Sequence, residues 1–154
     1  MKASDHDITR SNLMFRLAIL TRKWRQVIDH EFHIVGLTEA TWRPLLHLHL
    51  LGDRVRQKEL AASVGIEDPT LVRVLDTLVD KGLIRRVEDS SDRRAKLISL
   101  TPEGLSTVDR IQQIMIPLEQ KLLNDFSDQD IESIGKFILT LESNAQNLRW
   151  DTRK

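Results

Sequence analysis

The chain of 154 residues contains no cysteine. That excludes a disulfide scaffold, a thiolate zinc site, an iron–sulfur cluster, a cysteine nucleophile and a thiol redox switch. No uncharged stretch approaches the ~20 residues needed to cross a bilayer, so no membrane association is expected. The N-terminal run Met1-Lys2-Ala3-Ser4-Asp5-His6-Asp7 carries acids and lacks an apolar centre. It does not read as a secretory signal, and a cytoplasmic protein is expected. Net charge is absent too, with 23 basic and 23 acidic side chains. Bulk charge therefore gives no argument for nucleic acid or an anionic membrane. There is no nucleophile elbow, phosphate loop or metalloprotease motif, so no catalytic residue and no cofactor is expected. His30 and His33 are close in sequence, whereas His47 and His49 point to different helix faces. Even with Glu31 these do not make a closed four-ligand site, and no metal is expected.

What is present suits one compact domain, or two small units sharing a core: 40% hydrophobic and 30% charged residues. The charges are uneven. Residues 54–97 hold ten basic and eight acidic side chains, and residues 98–154 hold six and nine. Lys81 to Lys96 alone has six basic and three acidic. By charge alone, that cluster reads as a solvated loop.

Glycines and prolines divide the chain. Gly36, Gly52, Gly65 and Gly82 each follow a helix-periodic run, as C-terminal caps do. Pro69 and Pro102 follow the N-cap candidates Asp68 and Thr101. The first helix is predicted from about Ile8 to Ile34, with Leu13, Leu17, Leu20, Trp24, Val27 and Glu31 on one stripe. The second opens at Thr38 and ends near Leu51, with Trp42, Leu45, Leu46 and His49 inward and Pro44 kinking it or shifting its start. Helices follow over Lys58–Val64 and Pro69–Lys81, the latter with Leu71, Leu75 and Leu78 inward. The period then changes to two. Leu83–Val87 and Lys96–Leu100 read as strands joined by a long charged tip, Glu88 to Arg94. Helical period returns from Thr101, with Pro117 bending or dividing that helix, and a last helix opens at Ser127. The terminal helices carry more apolar stripe than the small middle unit can cover, which points to a second copy of the chain.

Gln57 to Arg73 reads as a helix-turn-helix: Ala61 is small where the helices cross, Gly65 permits the tight turn, and Leu71 packs back. On the second helix Thr70, Arg73 and Thr77 share an outward polar face. Such a face fits a major groove, where arginine can donate two bonds to guanine; it also fits an ordinary solvated face. The hairpin favours DNA. Arg85, Arg86, Arg93, Arg94 and Lys96 lie in it directly after the reading helix, the order of a winged helix. An arginine at the wing gains from the negative potential of a narrow A·T-rich minor groove. Asp92 could accept bonds from a neighbouring guanidinium and hold the tip in shape.

Gly82-Leu83-Ile84-Arg85-Arg86, Asp92-Arg93-Arg94-Ala95-Lys96 and Leu100-Thr101-Pro102-Glu103-Gly104 resemble the wing signature of the MarR family of bacterial transcriptional regulators. Trp24-Arg25, Ile28-Asp29-His30, Gly65-Ile66-Glu67 and Leu71-Val72-Arg73-Val74-Leu75-Asp76 are most similar to its SlyA branch. The resemblance covers roughly residues 10–148. It implies a mainly α fold with a small β-hairpin wing: a winged helix-turn-helix lobe over residues 36–100, and dimerisation helices in 1–35 and 101–154. It further implies a homodimer, double-stranded DNA with a pseudo-palindromic operator as partner, and the function of a repressor. Arg73 matches the family's reading-helix arginine, Arg94 the wing arginine and Asp92 the acid that positions it. Asp68 departs from the pattern by placing an acid at the start of the reading helix, and Pro44 is unusual. The family also implies a small aromatic carboxylate or phenolic effector. Trp42, His49, Arg22 and Arg25 are the candidate ligand residues, unless the first two belong to the core and the arginines to solvent. From another class, a helical interaction module would use the basic wing to bind an acidic protein; steep salt dependence of specific duplex binding separates the two.

Overall fold

The computed structural model describes residues 7–151, with side chains to residue 148. The run Met1–Asp7 that argues against a secretory signal lies, but for Asp7, outside the described residues. Six helices and three strands follow one another: α1 (Leu13–Ile34), α2 (Glu39–Leu51), β1 (Val55–Arg56), α3 (Gln57–Val64), α4 (Asp68–Asp80), β2 (Ile84–Asp89), β3 (Asp92–Leu100), α5 (Pro102–Leu123) and α6 (Asp128–Asp151). The fold is mainly helical with a small antiparallel sheet of order β1-β3-β2. No helix among the described residues is long and apolar enough to cross a membrane.

The chain divides into two compact units, one ending at Met115 and the other beginning at Ile116. The first has a single apolar core. Leu45 and Leu48 of α2, Leu60 of α3, Leu71, Leu75 and Leu78 of α4, Ile98 of β3, and Val108 and Ile111 of α5 are all buried there. From α1 the core takes Ile28 and Phe32, and Phe32 meets the Trp42 ring at 5.0 Å between centroids. The apolar stripe read along α1 is thus only partly a core face. Trp24 packs against the core, but Leu20 and Val27 stay exposed in the single chain.

Several boundaries differ from the sequence reading. α1 starts at Leu13, because Asn12 folds back to accept the Thr9 N–H at 2.8 Å and closes a turn first. On α4 the N-cap is Glu67, one residue earlier than Asp68, which puts Pro69 in the second helical position. Pro44 is absorbed within α2, and Pro117 leaves α5 undivided. The two-residue β1, which pairs Val55 with Ile98, was too short to show a period of two.

In the second unit, Ser127 and Asp130 cap α6 reciprocally: the Ser127 hydroxyl and N–H both donate to the Asp130 carboxylate at 2.9 Å, and the Asp130 N–H donates to Ser127 Oγ. These bonds hold the Asp130 carboxyl below its usual value, the Ser127 N–H first. Beyond the cap, Ile134, Phe137, Ile138 and Leu139 are exposed in the single chain.

Candidate nucleic-acid interface

The interface is built from the turn between α3 and α4. Gly65 takes the left-handed conformation, φ 76°, and its N–H bonds the Ala61 carbonyl at 2.9 Å. Any other residue there would strain the turn. With Leu71, Leu75 and Leu78 buried, Thr70, Arg73 and Thr77 stand on the exposed side of α4. Thr77 donates its hydroxyl to the Arg73 carbonyl at 3.1 Å, so that proton is spent within the helix. Asp68, in the first turn, is exposed and complements the helix dipole.

The wing differs from the expected long loop. β2 and β3 run to a two-residue tip, Ser90-Ser91. Glu88 pairs with Lys96, yet Asp89 already pairs with Asp92, so Arg93, Arg94 and Ala95 form a bulge in β3. The charged residues that read as loop are therefore strand and bulge. A bulge re-aims side chains beside a paired ladder. Asp92 Oδ1 accepts the Arg94 backbone N–H at 3.0 Å. It thus fixes the main chain under Arg94 instead of holding a guanidinium, which corrects the expected contact.

Two ion pairs tie the wing to the rest of the lobe. Arg86 on β2 pairs with Asp76 on α4, and Arg56 on β1 pairs with Asp89 at 3.0 Å. Asp89 also accepts the Ser91 hydroxyl at 2.7 Å and the Ser91 N–H at 3.0 Å. The Ser91 bonds hold the Asp89 carboxyl below its usual value; burial acts the other way, and Arg56 lowers it further.

Between α3, α4 and the wing lies an open cleft of about 520 Å³, lined by Arg56, Gln57, Lys58, Asp68, Val72, Arg86, Asp92, Arg94, Ala95 and Lys96. Arg56 and Arg86 are paired with Asp89 and Asp76, which leaves Lys58, Arg94 and Lys96 against Asp68 and Asp92, a small local cationic surplus in a chain that is neutral as a whole. Arg86, Asp92, Arg94 and Lys96 are thus brought together. Arg85 points to the opposite face of β2 from Arg86, and Arg93 is exposed. Thr70 borders a different, mostly apolar cleft with Pro44 and Val64. Sequence reasoning missed Arg56, Gln57 and Lys58. Their signal is the basic run Arg54-Val55-Arg56-Gln57-Lys58, which leads into the first turn of α3 and which the mild charge balance of its surroundings obscured.

The four residues considered for an effector are placed separately. Trp42 is buried, and its indole N–H donates to Asp29 at 3.2 Å. Arg22 and Arg25 are exposed on α1. His49 is also exposed, off the inner face assigned to it, because Leu45 and Leu48 take that face of α2. It borders a small cleft with Gly52, Asp53, Leu100 and Leu105. Its neighbour His47 instead bonds Ser63 on α3 at 2.7 Å. Burial and then the Arg43 guanidinium lower the His47 pKa. Arg43 donates to the Val64 carbonyl at 2.8 Å, joining α2 to the end of α3. Among the described residues no group of three or more His, Cys, Asp or Glu could hold a metal ion.

A helix-turn-helix with an exposed second helix, followed by a basic hairpin, defines the class of winged-helix DNA-binding transcriptional regulators. The MarR family model matches residues 37–96. The solved transcriptional regulator PA3341 is 37% identical, with a TM-score of 0.79 over 86% of this chain and 97% of its own. The MarR crystal structure is 27% identical, with a TM-score of 0.74 over 97% of this chain and 99% of its own. S. aureus MepR in its DNA-binding conformation is 25% identical, with a TM-score of 0.75 over 90% and 99%. The chain belongs to the MarR family of transcriptional regulators.

Proposed function

We propose that this chain is a cytoplasmic repressor of the SlyA branch that binds a pseudo-palindromic operator as a homodimer. The carrying observation is the cationic cleft beside the exposed face of α4. In this reading α4 enters the major groove with Arg73, flanked by Thr70 and Thr77, as the reading residue. The bulge presents Arg94 to the flanking minor groove, with Arg85, Arg93 and Lys96 along the backbone. Arg86 acts mainly through Asp76, by fixing the wing against α4.

A second copy of the chain is supported by the exposed apolar side chains of α1 and α6, such as Leu20, Ile134 and Ile138. In the dimer α1, α5 and α6 supply the association surface and the segment from residue 36 to 100 supplies the DNA lobe. A small aromatic carboxylate or phenol would relieve repression by meeting the exposed Arg22 and Arg25. Binding of such a ligand to free and operator-bound protein must differ, because coupling between sites is reciprocal; calorimetric titration of both forms tests it.

The decisive experiment is selection of an operator from random duplexes, followed by titration at several salt concentrations. Arg73→Ala should lose ~1–3 kcal/mol per half-site and relax preference at one position. Arg94→Ala should weaken binding chiefly where the flanks are A·T-rich. Both variants binding as tightly as wild type would overturn the reading. Salt-sensitive capture of acidic proteins with no duplex preference would favour the interaction module instead.

A further inference from the structure

An acid does not belong on a DNA-facing wing unless it has work there that outweighs its repulsion of phosphate. Asp89 is such an acid. It is the last residue of β2, only 8% exposed, and it sits where the hairpin register shifts. Its carboxylate collects three bonds: from the Arg56 guanidinium and from the hydroxyl and N–H of Ser91. Arg56 is 33 residues away in sequence, at the end of β1 and directly before α3. Arg56 is also the N-cap of α3, where its backbone N–H donates to Glu59 at 3.2 Å.

We infer that Asp89 is a positioning residue: it latches the wing tip to the start of the helix-turn-helix and so sets where the bulge carries Arg94. This rests on the DNA-binding reading above. The argument is geometric. A bulge leaves its extra residues unpaired, so the ladder alone does not set where their side chains point. The ladder between β2 and β3 is regular from Ile84 to Glu88 and breaks at Asp89. The bulge therefore lies between the Glu88–Lys96 pair and the single closing pair Asp89–Asp92, and its own residues have no partner on β2. Asp89 supplies the missing constraint on one side through Ser91, just as Asp92 does on the other through the Arg94 N–H. Arg56 then refers the whole tip back to the lobe. Because Arg56 is already paired, it contributes position, not a free charge, to the cleft it lines.

The latch has a signature that simple loss of structure does not share. Asp89→Asn deletes a negative charge near the DNA and frees Arg56, so electrostatics alone would keep or raise overall duplex affinity and steepen its salt dependence. Loss of position would instead abolish the preference for A·T-rich flanks, which depends on where Arg94 reaches.

The test uses the full-length protein. Amide hydrogen exchange of the free protein reads the latch without DNA: in Asp89→Asn and in Arg56→Ala, the segment 89–95 should exchange about tenfold faster while α4 is unchanged. Titration of operators with A·T-rich and G·C-rich flanks should show the wild-type ratio falling toward one in both variants, with half-site preference intact. The double variant should do no worse than either single one. Ser91→Ala, at an exposed tip residue, gives a milder version should Asp89→Asn fold poorly. Wild-type exchange and wild-type flank ratios in Asp89→Asn would overturn the latch. A wild-type protein without operator preference would overturn the DNA-binding reading, and the exchange result would still decide the latch.

Discussion

Replacing Gly104 with alanine should destabilise the protein even though it swaps a poor helix former for the best one. Gly104 lies in the first turn of α5, where no unusual φ calls for glycine. Space does. A Cβ on Gly104 would stand 2.0 Å from the Leu83 carbonyl oxygen, 3.0 Å from its carbon and 3.3 Å from Leu100 Cδ2. The oxygen cannot turn away freely, because it accepts the Thr101 N–H at 3.1 Å. Thr101 in turn donates its hydroxyl to the Gly82 carbonyl at 2.6 Å and accepts the Gly104 N–H at 3.0 Å. The methyl must therefore push the start of α5 off the hairpin and loosen bonds that join α4's end to α5. Overpacking of this kind costs about 1–3 kcal/mol. Loosening one or two hydrogen bonds adds about 1 kcal/mol each. Against this, alanine in a helix gains about 1 kcal/mol. The net is a loss of about 1–4 kcal/mol, or a fall in Tm of several degrees, at roughly 2–4 °C per kcal/mol for a chain of this size. Thermal unfolding at fixed protomer concentration measures it, since the stability of the proposed dimer would depend on concentration. Gly65→Ala is the companion. Its Cβ meets nothing within 4 Å, so it should cost only the left-handed strain, about 1–2 kcal/mol. The reasoning fails if Gly104→Ala is as stable as wild type or more so.

Three further outcomes are expected. Asp76→Ala breaks an ion pair whose side chains are 54% and 22% exposed, so it should cost at most about 1 kcal/mol of stability, measured by denaturant titration. The folded His47 pKa lies below its unfolded value, so the unfolded chain takes up the proton first as pH falls below about 6.5. Stability should therefore be unaffected by this group above that pH and decline below it; an unchanged acid slope in His47→Gln would show that another group is responsible. Ile138→Asp puts a charge on the exposed apolar face of α6 and should shift a dimer toward monomer in sedimentation, whereas a wild type that is already monomeric at micromolar concentration would rule out the proposed assembly.

Helices α2 to α4 were readable because their apolar residues recur at helical spacing and their ends carry glycine, proline or a cap. The reading failed where a tertiary contact outweighs local pattern. The stretch from Glu88 to Arg94 looks like a loop because it is charged, yet the Asp89 bonds to Ser91 close the turn early and absorb the extra residues into a bulge. β1 exists only because β3 lies beside it. The outward face of α4 was legible from three buried leucines, whereas the cleft's Arg56 and Lys58 come from a segment that shows its role only once folded against the wing. The sequence motif Leu100-Thr101-Pro102-Glu103-Gly104 now has a mechanical reason: threonine bonds across the joint, proline opens the helix, and glycine lets it sit close.

The pairing of Val55 with Ile98 bears on the order in which the lobe can be made. During synthesis, residues 57–80 emerge with nearly all of their helical signal, but Val55 and Arg56 have no strand partner until β3 leaves the ribosome. Helices α3 and α4 therefore complete their support late, after a long loop has closed, and that closure costs entropy before it is rewarded. A nascent chain stalled before residue 97 should expose the unfinished edge of this sheet to proteases and chaperones, and only the arrival of the wing's second strand hides it.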